Sequence, residues 1–505
     1  MAADTPRNLT QTTLRGGAWL SLAAVLQVLL QLLTVGILAR LLSPREFGLV
    51  AAAMVVLELS QGFALLGMKP AIVQRAELSH QDLRAAHTIA VGLSTLLGVL
   101  VFALAAPFAR LLNTPSAAPM VQVLSLVFLV QSQSAVAEGL AARRQQFGLL
   151  ALRRTLSYFV GYGVIGVGLA VLGFGAWALV GAKLGEVTVA AILLSFGCRH
   201  PRRPLFERER LRQLFHFGTG FSVSQIANTL ANQADYFVVA RVLGPASLGL
   251  YSRSYQIMRL PARLLGNIVE DAAFPGFSAV QNERARLARG LFRSLLLMNT
   301  LLFLAAVACA VLAPEIIAIA LGPQWSAAAP LLALFALALP FRSSQRLATT
   351  VSRSTGANWR IASGEALYFA TVLSGAYLGS RHGLDGVVWG VTAAILVQTV
   401  VQLELARRLS GLPFALLVKA HVLPLPLTLV FGLTLWTITG ELRTWSGSPL
   451  VVLIGSILLA GCVVTAAIAI RTSLFLPADI RPIFDKLVQR IPVATAFRPR
   501  PSSPH

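Results

Sequence analysis

Apolar residues run along this chain in stretches of about 20, the length a helix needs to cross the hydrocarbon core of a bilayer. Short segments rich in Arg and Pro separate them. Fourteen stretches are read, at 16–39, 49–68, 85–109, 117–140, 155–173, 175–197, 214–240, 247–275, 291–313, 327–350, 361–379, 385–406, 416–439 and 449–470. The pattern predicts an all-α polytopic membrane protein. The first stretch is too long for a signal-peptide core and is taken as the first span. Spans seven, eight and ten are more polar than lipid-facing helices tolerate, so they are expected to line an interior. Beyond the last span, Ile480, Ile483, Phe484, Leu487, Val488 and Ile491 recur at helical spacing, with Arg481, Asp485, Lys486, Gln489 and Arg490 opposite. That fits a helix lying on the membrane surface or packed on the bundle. The final Arg-Pro-Arg-Pro-Ser-Ser-Pro-His is expected to be disordered.

The pattern also repeats. Ala39-Arg40-Leu41-Leu42-Ser43-Pro44-Arg45-Glu46-Phe47-Gly48-Leu49 returns as Ala240-Arg241-Val242-Leu243-Gly244-Pro245-Ala246-Ser247-Leu248-Gly249-Leu250, a shift of 240 − 39 = 201 positions. One copy joins spans one and two, the other spans seven and eight. A shift of six helices preserves orientation, so the halves are expected to be parallel repeats about an axis along the membrane normal. The predicted organisation is a six-helix lobe over 1–197, a basic linker over 198–213 and a second six-helix lobe over 214–406. Helices thirteen and fourteen over 407–470 and a cytoplasmic tail over 471–505 follow. The motif itself is read as a turn and anchor: Pro44 and Pro245 stop a helix, Gly48 and Gly249 suit a tight restart, and Arg40 and Arg241 snorkel to the interface.

Composition sharpens this picture. Of 505 residues, 56% are hydrophobic and 12% charged, with a net charge of +22; soluble domains carry about 25% charged residues. The surplus of Arg does not signal nucleic acid, because it falls in short inter-span clusters with no aromatic-rich basic domain. With the N-terminus in the cytoplasm and sides alternating, cytoplasmic segments and their span margins hold 30 of the 42 Lys and Arg. The opposite side holds six: Arg40, Arg45, Arg110, Arg241, Arg381 and Arg443. The positive-inside rule then places both termini in the cytoplasm. Cys198, Cys309 and Cys462 stand far apart, so no disulfide framework or metal site is expected.

The charges within spans are the candidate chemistry, since a charge at bilayer depth costs about 2.5–3.5 kcal/mol on the insertion scale and needs a cavity or a partner. Span eight carries Arg253, Arg259 and Arg263; span ten carries Arg342 and Arg346. Arg259 and Arg263, like Arg342 and Arg346, share a helix face. The planar guanidinium donates paired hydrogen bonds to phosphate, so a cationic cavity for an anionic substrate such as a phosphate or diphosphate is expected. Snorkelling or salt bridging of these arginines is the competing reading. Asp235 and Arg253 lie at similar distances from their shared loop and are expected to pair, leaving Arg259 and Arg342 for the anion. The repeat sets Glu58 opposite Arg259. Glu58 and Glu138 either bind a driving proton or cation, or serve as partners for the arginines. Lys183 and Glu186, three apart, are expected to pair with each other. There is no P-loop, no HExxH and no catalytic triad, so neither catalysis nor a cofactor is expected.

The segments Arg15-Gly16-Gly17-Ala18-Trp19, Leu38 to Val50 and Pro70-Ala71-Ile72-Val73-Gln74-Arg75 resemble the opening of bacterial polysaccharide flippases of the Wzx type. These belong to the multidrug/oligosaccharidyl-lipid/polysaccharide exporter superfamily. The resemblance covers about residues 10 to 470. It implies an inner-membrane flippase that moves undecaprenyl-diphosphate-linked oligosaccharide to the periplasmic leaflet by lobe rocking, for exopolysaccharide, capsule or O-antigen synthesis. Membrane lipids, a polymerase and glycosyltransferases are the partners it implies. The alternatives are a lipid II-type flippase, an ion-coupled multidrug antiporter and a non-transporting scaffold. Span one lacks the carboxylate usual in the antiporters, and spans one and two lack the arginines of lipid II flippases.

Overall fold

A computed structural model describes residues 26–64, 72–73, 78–201, 203–281 and 283–470. The opening motif around Arg15 and the amphipathic tail lie outside the described residues. Among those described there is no strand; helices occupy the predicted spans. They are α1 (Leu26–Leu41), α2 (Pro44–Ala64), α3 (His80–Ala103), α4 (Pro115–Arg143), α5 (Phe147–Val171) and α6 (Ala176–Gly197). The helical run Arg208–Ala279 breaks at Gly244 into α7 (208–243) and α8 (245–279). There follow α9 (Arg284–Val311), α10 (Pro323–Ala336 and Leu339–Ser354, bent by 50°), α11 (Asn358–Gly379) and α12 (Gly383–Ser410). Last come α13 (Phe414–Trp445) and α14 (Pro449–Ile470). By length and composition, eight described stretches can cross a membrane, or nine if the bent α10 is one span.

Local chemistry starts the helices where they begin. Ser43 and Glu46 form a reciprocal cap on α2: the Ser43 amide donates to Glu46 Oε2 at 2.7 Å, and the Glu46 amide to Ser43 Oγ at 3.3 Å. Pro44 fits the first turn, where its missing N–H costs nothing. Ser79 and Asp82 repeat the device on α3, at 2.9 and 3.1 Å. The second copy of the motif has no such cap. It has Gly244 at φ 81°, a left-handed turn that favours glycine, between α7 and α8.

The described residues form two compact units. One comprises Met1–Leu260, Ile316–Phe335 and Ala362–Val397 in their described parts; the other comprises Pro261–Glu315, Ala336–Ile361 and Gln398 onward. In the first unit, α4 packs on α3 and α6, and α5 on α6. Ile72, Leu83, Val136, Leu140 and Leu194 form a buried core there. In the second unit, α9 packs on α13 and on the Leu339–Ser354 part of α10. A buried polar chain crosses this packing: Ser344 Oγ donates to Asn299 Oδ1 at 2.9 Å, and Asn299 Nδ2 to the Ala420 carbonyl at 3.1 Å.

The duplicated motif packs against its own copy. A Cβ on Gly48 would lie 1.6 Å from the Pro245 carbonyl oxygen, and a Cβ on Gly249 would lie 1.9 Å from that of Pro44. The two glycines therefore hold α2 and α8 backbone to backbone. They are not the tight restart expected of them, since both lie inside their helices, past the starts at Pro44 and Pro245. The motif arginines also act as a pair. Arg40 donates to the carbonyls of Gly36 at 3.0 Å and Ile319 at 2.7 Å; Arg241 donates to Arg110 at 3.4 Å. Ile319 and Arg110 lie in the short helices Ala313–Ala320 and Ala105–Leu111, which follow α9 and α3. Each copy thus reaches a helix end in the other half of the repeat.

Candidate functional site

From the glycine contact, α2 and α8 carry their charges to equivalent places. Glu58 is 58 − 48 = 10 residues beyond Gly48, and Arg259 is 259 − 249 = 10 beyond Gly249. Ten residues of helix is about 15 Å, so both sit well inside the bundle. Lys183 and Arg259 are close enough to act electrostatically on the Glu58 carboxylate. Gln233 Nε2 of α7 donates to Glu58 Oε2. Glu58 is thus held by one amide and flanked by two cations.

Aromatic rings surround the arginines. The Arg253 guanidinium lies 5.0 Å from the Phe47 ring centroid, and that of Arg259 lies 5.6 Å from Tyr255. Tyr236, Tyr251, Tyr255 and Phe335 pack together with centroids 5.0 to 6.1 Å apart. Across the site, Tyr158 and Tyr162 of α5 stack at 4.8 Å, and the Tyr158 hydroxyl meets Thr34 Oγ1 at 3.1 Å. These tyrosines stand where α5 widens into a π-helical stretch over Phe159–Gly166, a distortion frequent at functional sites. Tyr162 is in electrostatic reach of Glu186, Arg253 and Glu58.

Lys183 bonds Glu186 at 2.8 Å, as their spacing predicted. Asp235 differs from expectation. It is buried and accepts the Tyr251 hydroxyl at 2.6 Å and the Tyr236 amide at 3.0 Å, while Arg253 faces Phe47. A phenol projecting from α8 reaches the carboxylate that loop-distance counting gave to the arginine. Glu138 forms an ion pair with Arg153 at 3.0 Å. Arg342 and Arg346 lie half-buried on α10 in the second unit. The side chain of Arg263 lies outside the described residues.

The site is therefore mixed in sign: Lys183, Arg253 and Arg259 stand with Glu58, Glu186 and Asp235 in the first unit. Sequence reading missed Gln233 and the tyrosines, whose polarity is modest. It also missed Glu365 of α11, a buried acid that accepts from Asn228 of α7 at 3.3 Å. The signal was present in α7, where Asn228, Asn232, Gln233 and Asp235 crowd into two turns. Through these residues α7 bridges to α11, α2 and α8, as expected of an interior-lining helix. Among the described residues, no three His, Cys, Asp or Glu side chains group as metal ligands.

Residues 37–330 match the family described as polysaccharide biosynthesis protein. The chain belongs to this family. The match includes both motif copies, Glu58, Asp235, Arg253 and Arg259, and ends before Arg342. The succinoglycan biosynthesis transport protein ExoT of Rhizobium meliloti (strain 1021) is 32% identical over 342 residues, 66% of this chain and 67% of ExoT. The lipopolysaccharide biosynthesis protein WzxC of Escherichia coli (strain K12) is 25% identical over 337 residues, 66% of this chain and 68% of WzxC. The resemblance to Wzx-type polysaccharide flippases read from the opening residues is borne out. In fold, this polysaccharide biosynthesis family member is similar to the lipid II flippase MurJ in an inward closed conformation. The TM-score is 0.73 at 14% identity, covering 90% of this chain and 99% of that one. The protein is a multi-pass membrane protein with a transporter fold.

Proposed function

We propose that this protein is a flippase that moves undecaprenyl-diphosphate-linked oligosaccharide from the cytoplasmic to the periplasmic leaflet of the bacterial inner membrane. The observation that carries the reading is Arg259, a guanidinium at bilayer depth balanced by Glu58 and not by a bidentate salt bridge of its own. A diphosphate outbids a single carboxylate for that guanidinium, because it brings more charge and more acceptor oxygens. Glu58 keeps Arg259 neutralised until the diphosphate arrives and is left to Gln233 and Lys183 when it does. Arg253 supplies a second cation, and the tyrosines offer flat faces and hydroxyls suited to sugar rings. Arg263, Arg342 and Arg346 enter the proposal as the sequence puts them, further cations on polar helices. The two six-helix lobes would rock about the site, with the polyprenyl tail remaining in lipid. A polymerase and glycosyltransferases are the partners this role calls for.

The test is translocation in proteoliposomes of a fluorescent undecaprenyl-diphosphate oligosaccharide, read with a membrane-impermeant quencher. A hydrogen bond to a charged group contributes about 1.5–3 kcal/mol, so Arg259→Gln is expected to slow flipping at least about tenfold. Arg342→Gln, measured beside it, tests the α10 arginines separately. Wild-type flipping in a folded Arg259→Gln protein overturns the site; no flipping by the wild type, with export intact in cells of both, favours the scaffold reading. A second reading gives Glu58 the coupling ion, motivated by the amide and two cations that surround it. Glu58→Gln then removes the dependence of flipping on an imposed proton or sodium gradient; retained dependence sinks that role.

A further inference from the structure

A groove of about 760 Å³ runs between α4 and α6, away from the residues of the charged site. Thr188, Ile192, Ser195 and Phe196 follow each other along it at steps of four, three and one, one face of α6. From Thr188 to the last residue of α6, Gly197, is 9 residues, about 14 Å of helix. Half of a bilayer's hydrocarbon core is about 15 Å. The groove therefore has the depth of one leaflet. Its walls mix apolar side chains with Gln133, Thr188 and Ser195, and the large apolar ones are uncovered: Phe196 is 74% exposed, Ile192 48% and Leu129 42%. Its end is cationic. Arg199 lies exposed two residues beyond the end of α6, beside His200, and Arg144 reaches Cys198 Sγ at 3.8 Å.

We infer that this groove binds an anionic phospholipid of the surrounding membrane, its phosphate on Arg199 and Arg144 and one acyl chain along Leu129, Ile192 and Phe196. Apolar walls alone would accept any acyl chain. The paired cations at the headgroup level select a net negative headgroup, as basic pockets between membrane helices do. In the proposed orientation the cationic end lies in the cytoplasmic leaflet. The inference stands independently of the flippase reading, since none of its residues belongs to the charged site.

The experiment uses the full chain in a mild neutral detergent, with dioleoyl phosphatidylglycerol or dioleoyl phosphatidylcholine added. Thermal unfolding and native mass spectrometry are the readouts. Phosphatidylglycerol is expected to raise the melting temperature and to survive as a one-to-one adduct, whereas phosphatidylcholine does neither. Arg199→Gln should weaken the phosphatidylglycerol effect about tenfold, the equivalent of one charge-assisted contact. Ser195→Phe, which fills the groove and keeps Arg199, should remove the adduct. Arg381→Gln, in the connection between α11 and α12, should leave it intact. Equal stabilisation by the two lipids, an unchanged effect in folded Arg199→Gln, or the same shift with inorganic phosphate alone would each overturn the assignment.

Discussion

At Gly48 and Gly249 a single methyl group would fall within bonding range of an opposing backbone oxygen. Neither neighbour is the far end of a flexible side chain, so relief requires α2 and α8 to move. Overpacking in a close contact costs about 1–3 kcal/mol, and backbone against backbone belongs at the upper end. Gly249→Ala is expected to lower the melting temperature of purified protein more than Gly98→Ala, whose Cβ would find its nearest neighbour at 3.3 Å; equal shifts would contradict the close-packing account. The sequence showed these glycines as a repeated pair but not their purpose, because a turn glycine and a helix-crossing glycine look alike until the opposing chain is known. Asp235 teaches the same lesson. Its partner was sought among cations, yet Tyr251 supplies the proton. Tyr251→Phe removes one hydrogen bond to a buried carboxylate, at a cost of about 1.5–3 kcal/mol, and should register as a lower melting temperature with phosphatidylcholine nanodiscs as the medium. Outside the spans, burial pushes the Cys198 thiol up against the opposing effect of Arg144. Its thiolate is therefore scarce at neutral pH, and maleimide labelling of Cys198 should be slow at pH 7 and rise with pH.

Helices are the elements the sequence shows best here, because the length of an apolar run and the cost of an unpaired amide in lipid leave little else for the backbone to do. Their starts were less visible. The Ser43–Glu46 cap lies within the repeated motif, yet Pro44 was read there as the stop of one helix and Gly48 as the restart of the next. Ser43→Ala is expected to cost about 1 kcal/mol through lost capping, seen as faster hydrogen exchange in the first turn of α2 and not in α8. The second copy uses Gly244 instead, and any side chain there meets the strain of its positive φ. In α5, Tyr158 and Tyr162 stack face to face at the entry to the π-helical stretch, at a spacing of four that puts them on one helix face. Two stacked phenols beside a Lys–Glu pair were invisible to a search confined to charges.

For the whole molecule, the distribution of Arg and Lys predicts which loops face which compartment. With the native cysteines replaced, a cysteine at Arg381 should react with an impermeant reagent in intact cells. One at Arg353 should react only after permeabilisation; the reverse result would invert the proposed topology. Charge counting sees this because it concerns single segments against one membrane. The candidate site was only partly accessible by the same route. The repeat arithmetic put Glu58 against Arg259, and they do lie together in the first unit. It had no means to foresee Gln233 or Glu365, which come from helices far along the chain.

The contact between Gly48 and Gly249 has a consequence for how the two copies can change. Most packed pairs can trade volume, a gain on one side answered by a loss on the other. Here both partners are already the smallest residue there is, and each faces the other's main chain. A mutation at one copy has no possible compensation at its twin. The two halves of the duplication, free to diverge almost everywhere else, share at this point a debt that neither can settle alone.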